Sequence, residues 1–260
     1  SFLDQKTAEI DEAIAKKQRL IELLKEQKAI LINQAVTKGL NPEAPMRDSG
    51  VEWIGEVPEH WEMSRIGFVG CVGNGSTPNR SVLGYWEEGN IPWLNSSKVN
   101  DGVITSAEQF VTKRAVRECH LPTIQPGSIV VGITGEGKTR GMAALCNIKA
   151  TINQHLAYIQ VRDSRIIPRY LVLYLQGMYD WMRYDSSANG STKGAITCGD
   201  IKKYKLPVPP LHEQDKIVHH IEASERSIRD LVSKTKEAIS QLNELKLALV
   251  SQAVTGKIKL

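Results

Sequence analysis

Cysteine is scarce and scattered. Cys71, Cys119, Cys146 and Cys198 stand far apart, with no C-x-x-C pair. That spacing argues against a disulfide framework or a zinc ribbon and fits thiols kept reduced in a cytoplasmic setting. Cys119 adjoins His120, but no second ligand pair lies nearby, so no metal is expected. No apolar run approaches the ~20 residues of a membrane-spanning helix, and no secretory signal is visible. Catalytic constellations are missing too. His60, His120, His155, His212, His219 and His220 have no companions at metal-ligand or triad spacing, and Glu87-Glu88 reads as solvated loop charge. A methyltransferase Gly-rich loop followed by N-P-P-[FY], or a D-x-n-E-x-K nuclease pattern, is not found. There is no initiator Met: the sequence opens on Ser1-Phe2-Leu3 already in helical register, which reads as a piece of something longer.

What is present is ordinary in amount and uneven in place. The 260 residues, 41% hydrophobic and 24% charged, allow one large domain or a medium one with extended elements. Residues 65–205 hold 17 Lys/Arg against 10 Asp/Glu, a surplus of +7, while the flanks hold 16 against 19. A basic middle between mildly acidic ends is an electrostatic footprint for a polyanion.

The flanks repeat each other. Shifted by 218 positions, Ile10, Lys16, Ile21, Leu24, Glu26, Lys28 and Leu31 fall on Ile228, Lys234, Ile239, Leu242, Glu244, Lys246 and Leu249. Both copies close on Gln-Ala-Val-Thr, at 34–37 and 252–255. Apolar residues recur at spacings of four and three: Ile10, Ile14, Ile21, Leu24, Leu31 and Ala35, then Ile228, Val232, Ile239, Leu242, Leu249 and Ala253. This is the seam of a coiled coil, and the copies are each other's obvious partners. Lys17, Lys28, Thr235 and Lys246 also fall on the seam, as register-setting residues or contacts to a further partner. Leu231, Ala238, Leu245 and Ala248 are expected to widen the apolar face of the second copy. That helix should start after Pro207-Val208-Pro209-Pro210, with Glu213 and Asp215 in its first turn. From Leu211 to Ala253 it would span on the order of 60 Å, more than a compact domain needs.

Between them the pattern predicts a small mixed domain. Extended runs are expected at Arg65–Val72, Ile91–Leu94, Ser128–Thr134, Met142–Cys146 and Ala150–Val161, a short helix at Thr112–Cys119, and an amphipathic helix at Pro168–Tyr184. The fold class is α+β: a small mixed domain at 65–208, reached through a linker at 41–64 and flanked by helical regions at 1–40 and 209–260 that form an antiparallel coiled coil. Four loops are both polar and basic. Their candidate contacts are Ser76, Thr77 and Arg80; Asn95, Ser96, Ser97 and Lys98; Thr134, Glu136, Lys138, Thr139 and Arg140; and Asn189, Ser191 and Lys193. Amides, hydroxyls and Arg/Lys read base edges and grip phosphates.

Gly132–Thr139 matches G-x-x-x-x-G-K-[ST], which alone proposes a nucleotide-binding loop. Such a loop must open a helix, yet Arg140-Gly141 and an extended stretch follow.

Taken in order, a set of landmarks resembles one family. Gln34–Leu40, Asn41-Pro42, Asp48-Ser49-Gly50, Trp53-Ile54-Gly55 and Pro58-Glu59-His60-Trp61 are similar to the lead-in of a target-recognition domain of type I restriction–modification specificity (S) subunits. Gly75-Ser76-Thr77-Pro78, Tyr85-Trp86, Ile91-Pro92-Trp93-Leu94 and Asn153-Gln154 resemble its later landmarks, and Leu206–Leu211 with Glu213-Gln214 its exit. The family usually has two recognition domains and two conserved helices; here one domain lies between two helices, as in the C-terminal half of such a subunit or a natural half-subunit. The resemblance implies a non-catalytic chain with no cofactor of its own. It would read one half of a bipartite site in double-stranded DNA and dock modification (M) subunits, which use S-adenosylmethionine. Restriction (R) subunits, which use ATP and Mg, would associate indirectly, and a half-subunit would pair as a homodimer. The rivals are a P-loop nucleotide binder and a coiled-coil adaptor without DNA.

Overall fold

The computed structural model describes residues 2–135, 137–188 and 194–255. The chain divides into two compact units, Ile32–His219 and Ser1–Leu31 with His220–Leu260.

In the larger unit, α1 (Phe2–Lys38) stops at Gly39, whose φ of +75° is the left-handed conformation that ends helices. A Cβ there would meet the Trp61 ring at 3.0 Å, so the same glycine also admits the indole. β1 (Met46–Asp48) and β2 (Glu56–Pro58) pair as a hairpin. β3 (Glu62–Arg65) leads into α2 (Ile66–Val69) and β4 (Gly70–Asn74). The extended run expected at 65–72 is thus corrected. One helical turn buries both Ile66 and Val69, three apart, which a strand would send to opposite faces.

β5 (Ile91–Leu94), β6 (Val103–Ile104) and β7 (Gln109–Val111) follow, with 3-10 turns at Leu83–Tyr85 and Ser96–Asp101. α3 (Lys113–Glu118) is capped by Thr112 Oγ1, which accepts from the Ala115 N–H at 3.2 Å. β8 (Ser128–Gly132) and β9 (Ala143–Cys146) are antiparallel neighbours. The single run expected at 150–161 is two strands, β10 (Thr151–Ile152) and β11 (Leu156–Val161), in different sheets. Asn153 makes the turn between them, its Oδ1 accepting from the His155 N–H at 3.0 Å. The expected helix at 168–184 is divided into α4 (Pro168–Gly177) and α5 (Tyr179–Ala188). α6 (Cys198–Lys203) opens with a capping box between Thr197 and Asp200. β12 (Lys205–Val208) and α7 (Leu211–Val254) complete the chain.

The principal sheet runs β4-β11-β8-β9-β6, a second β10-β5-β7, and β12 pairs with β3. Leu94, Ile104, Ile124, Ile152 and Leu156 share one apolar cluster, so burial welds the two larger sheets together. Tyr170, Leu171, Tyr174, Leu175 and Met178 are fully buried, and Met182 with them. Of the aromatic residues repeating along the expected helix, Tyr174 is core, whereas Trp181, on α5, is half-buried and stacks on Trp53 with ring centres 5.1 Å apart.

The exit landmarks have a structural reason. Glu213 accepts from Trp61 Nε1 at 2.9 Å and meets His60 Nε2 at 2.7 Å. Partial burial pushes its carboxyl pKa up, but the bonds from Trp61 and His60 outweigh that and leave it below the ordinary value. Gln214 is fully buried, donating to the Arg165 and Pro209 carbonyls and accepting from the Ile167 N–H.

In the smaller unit α1 and α7 lie antiparallel. Lys28 meets Glu225 at 3.0 Å and Lys246 meets Asp11 at 2.6 Å, so positions rise along one helix as they fall along the other. These two lysines are equivalent in the repeat, and each reaches an acid on the opposite helix. Ile10, Ile21 and Leu24 are buried, and Ile14, Leu31, Ile228, Val232, Ile239, Leu242 and Leu249 are half-buried, on the expected stripe. Of the second row Ala238 is half-buried, but Leu231 and Leu245 are about half exposed and Ala248 is exposed, which corrects the wider apolar face: a two-helix contact covers one stripe only. The repeat ends also differ. Ala35, Val36 and Thr37 are buried in the larger unit, whereas Val254 is 81% exposed.

Candidate nucleic-acid interface

Strand direction gathers the polar loops. β4 pairs antiparallel with β11, and β11 with β8, so Asn74, Leu156 and Gly132 lie at one end of the sheet. β10 runs parallel to β5 and brings the segments after Leu94 and Ile152 side by side; the Asn153 N–H donates to the Leu94 carbonyl at 3.0 Å. The Ser76 N–H donates to the Ile152 carbonyl at 3.1 Å, and the Ile133 N–H to the His155 carbonyl at 3.0 Å. Residues 74–80, 95, 133–134 and 153–155 therefore converge. Gly75 is required at that crossing, since a Cβ would lie 1.9 Å from the Ile152 carbonyl oxygen.

Side chains tie the convergence together. Thr77 Oγ1 donates to Gln154 Oε1, Gln154 Nε2 lies 3.1 Å from His155 Nε2, and His155 Nδ1 lies 2.7 Å from Thr134 Oγ1. Gln154 and His155 are exposed, whereas Asn153 is buried. Composition and charge do not single out Gln154 and His155 as contacts: they mark a turn between two apolar runs, and Asn153-Gln154 stands out only as a landmark of the family resemblance.

Arg80 is the best-held cation here. Its guanidinium sits 3.7 Å from the Trp86 ring centre and 5.1 Å from that of Trp93, and donates to Gln109 Oε1 at 2.6 Å. Trp93 donates from Nε1 to the Ser76 carbonyl at 3.2 Å, and Trp86 to the Asn79 carbonyl at 3.2 Å. The two indoles thus fix both the loop and its arginine.

Other candidates serve the fold. Asn95 caps the 3-10 turn, accepting from the Ser97 N–H at 3.0 Å and from Ser97 Oγ; Ser96 begins that turn. Lys98 is only 7% exposed and pairs with Asp101, which raises the ammonium pKa. Its charge is spent internally. Arg140 is also 7% exposed, donating to Ser187 Oγ at 3.1 Å, with Nε lacking a partner among the described residues. Arg183 donates to the Gly137 and Arg140 carbonyls and Tyr179 to that of Lys138, so α5 holds this loop. Thr139 is half-buried, and the Lys138 side chain is exposed. Glu136, Asn189, Ser191 and Lys193 lie outside the described residues.

The phosphate-loop reading of Gly132–Thr139 is overturned. The segment joins antiparallel strands β8 and β9, with the Gly141 N–H on the Gly132 carbonyl at 2.8 Å, and no helix follows to support a phosphate. Among the described residues no group of three or more His, Cys, Asp and Glu is placed to hold a metal, and no helix is long and apolar enough to cross a membrane.

Comparison with known proteins points the same way. Residues 58–241 match the family model described as type I restriction modification DNA specificity domain. The chain is 27% identical over 201 residues to the type I restriction enzyme MjaIX specificity subunit of Methanocaldococcus jannaschii, an alignment covering 75% of this chain and 44% of that protein. The chain spans about half the length of the curated relatives it matches. Among solved structures it resembles a chain of a type I R-M system (TM-score 0.67, 21% identity, 96% of this chain and 57% of that one). It also resembles the HsdS subunit of Thermoanaerobacter tengcongensis (TM-score 0.60, 19% identity, 98% and 57%). These likenesses show the fold, and the family model, matching well over half of the sequence, shows the lineage: the chain belongs to the type I restriction modification DNA specificity domain family.

Proposed function

We infer that this chain is a sequence-recognition element that reads one half of a bipartite site in double-stranded DNA, with no catalysis of its own. The observation that carries this is the convergence of Thr77, Arg80, Thr134, Gln154 and His155 at one end of a basic domain. The antiparallel α1–α7 pair would dock modification subunits, which bring S-adenosylmethionine; restriction subunits, with ATP and Mg, would join through them, in the cytoplasm. A chain of this extent could also act as a homodimer of half-subunits. As a ruler, a helix of ~60 Å matches about 18 base pairs of duplex at about 3.4 Å each. The test is selection from random duplexes followed by gel shift. Enrichment of a defined motif supports the reading; equal binding to every duplex refutes sequence recognition, and no binding favours the coiled-coil adaptor.

A further inference from the structure

Gln154 is exposed, yet its amide is not free to turn. Thr77 Oγ1 donates to Oε1 on one side, and Nε2 faces His155 Nε2 at 3.1 Å on the other. The imidazole is itself held at 2.7 Å by Thr134 Oγ1. An amide has two acceptor lone pairs and two N–H donors. With Thr77 and His155 in place, one lone pair and one N–H remain. Exchanging the amide oxygen and nitrogen reverses each bond in the chain Thr77–Gln154–His155–Thr134 and leaves the same remainder. The side chain thus presents one acceptor beside one donor, in a fixed plane, at the point where three loops meet.

In the major groove only adenine shows a donor next to an acceptor on one base, N6–H beside N7; guanine shows two acceptors, cytosine a donor, thymine an acceptor. A phosphate offers acceptors alone and would leave Oε1 unused. We propose that Gln154 reads an adenine in the major groove, with Thr77 and His155 as positioning residues that hold its amide. The proposal rests on the DNA-recognition reading above.

The experiment uses the full-length protein with whatever subunits copurify, selecting from a pool of random duplexes. Each adenine of the selected motif is then replaced in turn by 7-deazaadenine, which lacks the N7 acceptor. For the unaltered protein one such replacement should weaken binding on the order of tenfold. In Gln154→Ala that replacement should have no further effect, and Gln154→Glu should lose the preference at that base pair. Thr77→Val and His155→Ala should broaden the same position while keeping the slope of affinity against salt; Thr77→Ser should retain the preference. A motif with no 7-deaza-sensitive adenine overturns the proposal without requiring any variant to fold. So does a Gln154→Ala protein that keeps every base preference, or one that weakens on all sequences alike with a shallower salt slope. If the unaltered protein selects no motif, both the proposal and the DNA-recognition reading fall.

Discussion

Arg80 sits over the Trp86 ring and donates to Gln109, so its guanidinium is oriented before any ligand arrives. A lysine would keep the charge and lose both the stacking and the planar fork. Arg80→Lys should therefore weaken binding to the selected duplex by ~1–2 kcal/mol, read by fluorescence anisotropy; an unchanged constant would make the residue a loop staple only. Glu213 gives a pH signature. Its carboxyl pKa in the folded protein lies below the 4.5 of a free side chain, so its share of stability is present above pH 4.5 and lost as pH falls through the lower folded value. The melting temperature of Glu213→Gln should start lower at neutral pH and fall less steeply through that window. Residue identity is a fair guide to chemistry and a poor one to exposure. Lys98 and Arg140 read as surface cations, but the first has Asp101 three residues on and the second is clasped by α5, a contact set by folding.

At the scale of elements, the helical repeat is legible because a 3.5-residue stripe sustained over four heptads fits neither a strand nor a loop. β5 matches its expected bounds for a similar reason: a short apolar run between turn residues. The turn at Asn153 and the single turn of α2 are not legible, since apolar residues flank both and no period develops in three or four positions. Leu24, 8% exposed, sits in the helical seam. Leu24→Asp should cost roughly 2–4 kcal/mol by burying a carboxylate, seen as a lowered melting temperature of the helical signal. The two Gln-Ala-Val-Thr ends provide an internal control. Val36→Asp should destabilise strongly, because Val36 is 1% exposed, while Val254→Asp should fall within about 0.5 kcal/mol of the parent in a denaturant titration. Similar losses for both would mean that the second end is covered in solution.

For the whole molecule, charge placement foretells the basic centre, and Lys138 is the exposed cation of the loop between β8 and β9. Lys138→Ala should reduce the slope of log affinity against log salt by about 1 if it touches a phosphate, at similar cost on all sequences. A steeper loss on one motif alone would assign it to a base instead. The paired lysines of the helical unit have a broader consequence. Lys28 and Lys246 both cross to an acid on the opposite helix, with partners about one helical turn out of register, so the unit approximates a dyad normal to its axes without obeying it strictly. A half turn about that axis lays one seam on the other, Ile10, Ile21 and Leu24 on Ile228, Ile239 and Leu242, while the outward sides trade sign, Asp11 and Arg19 falling on Arg229 and Glu237.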